Sequence, residues 1–208
     1  MKISKHIHSC LLIKDKGKAI LLDPGNYSYD EKGLDITSLD QLDFIGITHV
    51  HPDHMYPPFI KELLKKFPNA KVIGNKQVLE ALKKDDISVT NAGNEMIEFS
   101  ETDHDKVFDL PQPKNLVFHI FGKLTHPGDT INIDQSNDVL AFPIQGLWTS
   151  LTLALDKTVE LKPKVVIPIH DWHWKEEVRK NVYERAGKYL SQFNIEFKKL
   201  EIGETIEV

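Results

Sequence analysis

Three histidines and one aspartate lie within six residues of this chain, in segment 48–54, which reads Thr-His-Val-His-Pro-Asp-His. His49 and His51 are two residues apart, so an extended backbone points both side chains to one side. Asp53 and His54 follow where the chain turns, and can face a second ion close by. Neutral imidazole and carboxylate groups are the usual ligands of catalytic zinc. Because burying so many titratable groups without a metal would be costly, the segment predicts a metal centre rather than a solvated polar loop.

The residues on either side of this segment predict the elements that hold it. Residues 44–47 are apolar and typical of a buried strand. Pro57 and Pro58 come after the segment, and apolar residues then recur at helical spacing from Phe59 to Phe67. The histidines are therefore predicted on a loop between a strand end and a helix start, a common place for catalytic groups.

Further candidates lie along the chain. Asp23 ends an apolar run in Asp-Pro-Gly, and His170 ends another at 165–169. Asp129 sits in the tight His-Pro-Gly-Asp-Thr turn at 126–130, and its two carboxylate oxygens could hold two ions. His104 follows a predicted strand in a polar turn, whereas His119 lies within the apolar run 116–121. A single histidine among acidic residues is ordinarily a surface residue, and His104 becomes a candidate only alongside a resemblance to a known family; there, loop placement favours it over His119.

In their order, these segments resemble the metallo-β-lactamase superfamily, over a span from about Ile3 to Asp171. The residues 8–10, His-Ser-Cys, and the stretch 143–148 are similar to a small lactonase-like branch of that family. The resemblance implies an α/β protein with the four-layer αββα sandwich of the metallo-β-lactamase type. The whole chain, residues 1–208, is expected to form one hydrolase domain.

The resemblance also implies a role for each candidate. It gives two sets of metal ligands and a bridge, which are His49, His51 and His104 for the first ion, Asp53, His54 and His170 for the second, and Asp129 for both. Asp53 and Asp129 are expected to act in catalysis as well, and Asp23 to orient a metal-bound histidine. The general acid stays open between His126, His173 and no residue at all.

The expected enzyme is a dinuclear metal hydrolase, with zinc expected and manganese or iron also suited to such sites. A hydroxide that bridges the ions would cleave an ester, lactone, amide or phosphoester bond in a small substrate. Di-iron redox members of the family usually carry Glu where His51 stands, which favours hydrolysis. The alternatives are a nuclease of the same fold, acting as an RNase or phosphodiesterase, and a non-catalytic metal-binding protein.

Composition narrows these classes. The 208 residues have a formal net charge of −5, with 40% hydrophobic and 27% charged residues. The acidic balance disfavours a nucleic-acid partner, since such surfaces are normally basic. No apolar run predicts a membrane span or a signal peptide, and Cys10 is the single cysteine. We expect a cytoplasmic protein that acts on a small molecule; a homo-oligomer is compatible with the sequence.

The remaining pattern alternates strands and helices, which is typical of an α/β protein. Hairpins are predicted for 10–22 and 118–125, and a third at the end of the chain, with strands 195–200 and 205–208 about Gly203. The longest predicted helix, 174–193, presents one apolar stripe, which consists of Val178, Val182, Ala186, Leu190 and Phe193.

Overall fold

A computed structural model describes all of residues 1–208. The strands, in chain order, are β1 (Lys2–Lys5), β2 (Leu11–Asp15), β3 (Lys18–Leu22), β4 (Phe44–Gly46), β5 (Lys71–Ile73), β6 (Val89–Thr90), β7 (Ile97–Asp103), β8 (Lys114–Ile120), β9 (Leu124–His126), β10 (Val139–Pro143), β11 (Val165–Ile169), β12 (Glu196–Phe197) and β13 (Thr205–Glu207). The α-helices are α1 (Asn26–Asp30), α2 (Pro57–Lys66), α3 (Lys76–Leu82), α4 (Leu151–Leu161) and α5 (Glu176–Ser191). None of these helices combines the length and the apolar character that crossing a membrane requires.

The strands form two sheets, each part antiparallel and part parallel. The first sheet has seven strands in the order β13-β1-β2-β3-β4-β5-β6, and the second has six in the order β12-β11-β10-β9-β8-β7. In the first sheet β3 to β6 run parallel, and in the second β9 to β12 do. Parallel neighbours end at the same edge of a sheet, so the loops after β3 and β4 can supply side chains to one site.

The fold has four layers, which are two sheets between two layers of helices, and an apolar cluster lies between each adjacent pair of layers. The sheets pack face to face through side chains such as Ile20 and Phe118, which are fully buried. Helices α2 and α3 cover the outer face of the first sheet, where Phe59 packs in the same cluster as Ile45. Helices α4 and α5 cover the second sheet, with Leu190 at the centre. The predicted αββα sandwich is therefore confirmed.

One prediction about the end of the chain was wrong, and another was confirmed only in part. The last two strands do not form a hairpin, because β12 joins β11 in the second sheet while β13 joins β1 in the first. Helix α5 buries Ala186 and Leu190 of the predicted stripe, whereas Val178 and Phe193 at its two ends are 47% and 44% exposed. The buried face includes Tyr183 instead, an aromatic residue that also packs on β12.

Candidate metal centre

The loop after β4 is held against the turn after β3 by close backbone contact. A Cβ atom on Gly25 would lie 1.7 Å from the backbone oxygen of Asp53, so only glycine fits there. The Asn26 amide donates to the Pro52 carbonyl at 2.9 Å, and the Tyr56 amide donates to the Pro24 carbonyl at 3.2 Å. These contacts fix the path of the histidine-rich loop.

Asp23 contacts this loop at Thr48 and His54. Its side chain is fully buried and its backbone is left-handed, with φ of 47°. The carboxylate accepts from the Thr48 amide at 2.8 Å and the Thr48 hydroxyl at 2.9 Å, and lies 2.7 Å from Nδ1 of His54. A carboxylate on Nδ1 fixes the tautomer and leaves Nε2 free to bind a metal. Asp23 therefore makes the orienting contact that the resemblance implied.

Four donors meet in a first cluster, which consists of His49, His51, His104 and Asp129. Nε2 of His49 lies 3.0 Å from Nδ1 of His51, and Nε2 of His104 lies 3.3 Å from Oδ2 of Asp129. His104 directly follows β7, which ends at Asp103. The ligand atoms of this cluster all lie within 4.8 Å of one another, as donors to one ion would.

A second cluster lies beside the first and consists of His8, Asp53, His54 and His170. Oδ2 of Asp53 is 3.1 Å from Nε2 of His8, 3.9 Å from Nε2 of His54 and 4.0 Å from Nε2 of His170. His170 leaves β11 in a left-handed backbone with φ of 60°. Left-handed residues other than glycine concentrate at functional sites, where the surrounding structure enforces them.

Asp129 lies between the two clusters. Its Oδ1 is 3.1 Å from Nε2 of His54, and its Oδ2 is 3.2 Å from Nε2 of His170 and 3.8 Å from Nε2 of His49. Gly128 makes this position accessible, because φ there is 63° and a Cβ would lie 2.2 Å from Oδ1 of Asn115. The same Asn115 oxygen accepts from the Asp129 amide at 3.2 Å. One carboxylate thus faces both clusters.

The hydrogen bonding of the two clusters and the charge states of Asp129 and His49 fit metal binding. Nε2 of His54 lies 3.1 Å from Oδ1 of Asp129, and Nε2 of His170 lies 3.2 Å from Oδ2, but His54 Nε2, His170 Nε2 and Asp129 Oδ1 are buried without a hydrogen bond of good geometry. This arrangement is costly unless these atoms bind something. Burial opposes ionisation of Asp129, but His170 and His54 nevertheless hold its pKa well below the ordinary value. Burial, and then His54, lower the pKa of His49 well below its ordinary value, which leaves a neutral ligand.

A cavity of about 540 Å³ opens onto both clusters. Its floor includes His51, Asp53 and Asp129, and its walls include Leu110, Leu147 and Trp148. The Trp148 ring lies edge-on to His104 and His170, at centroid distances of 5.9 and 5.6 Å. The lining contains no lysine or arginine. Trp148 is therefore a wall of the cavity.

The structure shows which of the remaining candidate histidines, His119, His126 and His173, lines the cavity. His119 is half-buried and lies 3.1 Å from the Thr125 hydroxyl, away from both clusters. His126 does not face the cavity as a general acid would, because its ring is fully buried with Nε2 3.0 Å from the Ser9 carbonyl and Nδ1 accepting from the Gly128 amide. His173 does line the cavity, with its ring exposed.

His8 is the cluster residue that the sequence did not assign to the metal. It was noted only as part of the motif His-Ser-Cys at 8–10. The local signal was a histidine three residues after the end of β1, and nothing local showed that this turn meets the end of β11. Burial, and then His170, lower the pKa of His8 to about 4.

Comparisons with known proteins show what this chain is similar to. The profile of the beta-lactamase superfamily domain matches residues 2–170. A UPF0173 protein of Pyrococcus abyssi is 32% identical over 185 residues, covering 82% of this chain and 83% of that protein. A UPF0173 metal-dependent hydrolase of Nanoarchaeum equitans is 28% identical and covers 84% and 85% of the two chains. The metallo hydrolase Igni18 of Ignicoccus hospitalis has a similar fold, with a TM-score of 0.72, 20% identity, and 99% and 97% coverage.

Proposed function

This chain belongs to the metallo-β-lactamase superfamily of metal-dependent hydrolases, and from that premise we propose that it is a two-metal enzyme, loaded with zinc, that cleaves an ester or lactone bond in a small uncharged substrate. His49, His51 and His104 bind one ion, Asp53, His54 and His170 bind the other, and Asp129 bridges the two. This assignment keeps the ligand sets that the sequence implied.

The position of Asp129 carries the proposal. One of its oxygens faces His54 and the other faces His104 and His170, at 3.1 to 3.3 Å. If the carboxylate bound only one ion, its second oxygen would lie buried beside an imidazole without a partner for either atom, which is costly. Two bound ions would activate a water as nucleophile near neutral pH and polarise the bond to be cleaved.

The chain's own side chains prepare the site for this reaction. Asp53 is about a quarter exposed, at 23%, and reaches the cavity from the floor, so its carboxylate can orient the attacking water. Trp148 and Leu147 form a wall on which an apolar part of the substrate can pack. His173 at the rim is the one histidine outside both clusters that lines the cavity, and can donate a proton to the leaving group.

The cavity lining supports a carbonyl ester or lactone over a nucleic acid. Recognition of phosphates relies on lysine and arginine, and neither residue lines this cavity. Three large apolar side chains are exposed in the two loops that border it, namely Phe108, Leu110 and Leu147 at 71%, 61% and 79%. An uncharged substrate with an apolar part would bury this surface.

The test is a substrate panel with the zinc-loaded protein. Esters and lactones with acyl chains of increasing length are compared with a β-lactam, phosphodiesters and a short RNA. We expect turnover of esters or lactones, with kcat/KM rising with chain length, and loss of turnover in the Asp129→Ala variant. Turnover confined to phosphodiesters or RNA, with binding that weakens steeply as salt increases, would contradict the proposed substrate class.

A further inference from the structure

His8 is buried in the second cluster, and one of its ring nitrogens faces the other side chains of that cluster. Its ring is 1% exposed and lies at the base of the cluster, 3.9 Å from the His170 ring and 5.6 Å from the His54 ring between centroids. Nε2 points at Oδ2 of Asp53 from 3.1 Å. The bonds of zinc to nitrogen and oxygen are about 2.0–2.2 Å long, so atoms that share an ion lie about 3–4 Å apart. The spacing of His8 fits that requirement.

The backbone is built to hold His8 beside His170. Both residues are left-handed, with φ of 66° and 60°, and the His170 amide donates to the His8 carbonyl at 3.2 Å. Such backbone conformations cost free energy and persist where the surrounding structure enforces them. The two histidine-bearing turns therefore hold each other in place.

A buried ion pair ties the same two turns together at their other ends. Lys5, at the end of β1, donates to Asp171 at 2.6 Å and to the Tyr183 hydroxyl at 2.8 Å, and Tyr183 also donates to Asp171. All three side chains are almost fully buried. Asp171 is the neighbour of His170, and Lys5 is three residues before His8. This buried network fixes the relative position of both rings from outside the metal site.

His6 shows that the arrangement is specific to His8. It lies two residues earlier and is also buried, at 6% exposure. Its Nδ1 lies 2.8 Å from the Gly33 carbonyl, and it belongs to neither cluster. A buried histidine in this segment can thus pair one ring nitrogen with the backbone, whereas His8 is directed at a carboxylate and two imidazoles.

We propose that Nε2 of His8 is a direct ligand of the second metal ion. This inference rests on the proposed two-metal function and extends it. The second ion then has five protein ligands, which are His8, Asp53, His54, His170 and the bridging Asp129. The first ion has four, which are His49, His51, His104 and the same bridge. The alternative role is that of a hydrogen-bond donor that only positions Asp53.

Titration of the metal-free protein with Co²⁺, followed by visible absorption, separates the two roles. His8→Gly removes the ring and keeps the left-handed backbone without strain. His8→Gln keeps an N–H group that can reach Asp53, but an amide nitrogen does not bind metal. His6→Ala is the matched control for loss of a buried imidazole from the same segment. Circular dichroism and thermal unfolding of each metal-free variant check the fold.

We expect the wild type and His6→Ala to bind two equivalents with the same spectrum. His8→Gly and His8→Gln should both bind one tight equivalent, and the second should weaken by more than about 100-fold, since loss of an outer partner alone costs about 10–100-fold. Two tight equivalents in His8→Gln, with the wild-type spectrum, would show that His8 is only a donor to Asp53 and would overturn the proposal. Fewer than two equivalents in the wild type would instead refute the two-metal function itself.

Discussion

Asp23→Asn should weaken binding of one metal ion, although Asp23 touches no ion in the proposed site. Asparagine has nearly the same shape and tolerates the left-handed backbone at this position. Its amide, however, replaces one acceptor oxygen with an N–H donor. The expected loss is about 10–100-fold in affinity for the second ion, as for other partners of metal-bound histidines.

The magnitude follows from the three contacts of the carboxylate. Oδ1 accepts from the Thr48 amide, while Oδ2 meets the Thr48 hydroxyl and Nδ1 of His54. An asparagine oxygen kept on the Thr48 amide turns the NH₂ group towards His54. Nδ1 can then only accept, so the proton moves to Nε2, the nitrogen that faces Asp129. A 10–100-fold loss corresponds to about 1.4–2.8 kcal/mol. Loss of the charge-assisted bond should also destabilise the metal-free protein by about 1.5–3 kcal/mol.

The assay is competition for Co²⁺ between the protein and a chelator, combined with urea unfolding of the metal-free form. Asp43→Asn is the matched control. Asp43 directly precedes β4, at the end of that strand away from segment 48–54, and its carboxylate likewise accepts several hydrogen bonds, from Lys18, Ala19 and Gln41. The control should lose some stability but retain both ions at wild-type affinity. If Asp23→Asn also binds both ions with wild-type affinity, the orienting role of Asp23 is wrong.

Three further predictions follow from the same contacts. Asp129→Ala should lower kcat/KM more than Asp23→Ala, because the first loses the bridge and the second only an orienting partner; equal, mild losses would exclude Asp129 as the bridge. His104→Ala should bind about one ion fewer while His119→Ala binds two, with unchanged circular dichroism, and the reverse result in metal titration would transfer the ligand role to His119. Burial lowers the pKa of His54, but Asp129 and Asp23 outweigh it and raise the pKa well above the ordinary value. A proton must therefore leave His54 when a metal binds, so the affinity for the metal should rise with pH up to that raised pKa. Calorimetric titrations at several pH values that find a constant affinity and no proton release would contradict this prediction.

Local signals in the sequence predicted most of the elements that form the site. The apolar run before segment 48–54 is β4, and the helical spacing after it is α2. Ser150 caps α4 by accepting from the Leu153 amide, and serine is among the residues that favour this position at the start of a helix. In each case the signal and the structure that it predicts lie within about ten residues of each other.

What the sequence missed depends on residues far apart in the chain. The Ser9 carbonyl that engages His126 is 117 residues away, so no local pattern distinguished a buried histidine from one that faces the cavity. The final strands were predicted as a hairpin because they are close in sequence, whereas their actual partners, β11 and β1, lie elsewhere in the chain. His8 joins the second cluster only because β1 and β11 end at the same side of the sandwich.

The metal content of the purified protein tests the central claim most directly. The protein is expressed in zinc-supplemented medium, freed of loosely bound metal by gel filtration, and analysed for metal and protein in the same sample. Two facing clusters with a shared Asp129 predict close to two equivalents of a divalent metal per chain, falling towards one or none in Asp129→Ala. A wild-type protein that carries no metal under these conditions would contradict the proposed site and the mechanism built on it.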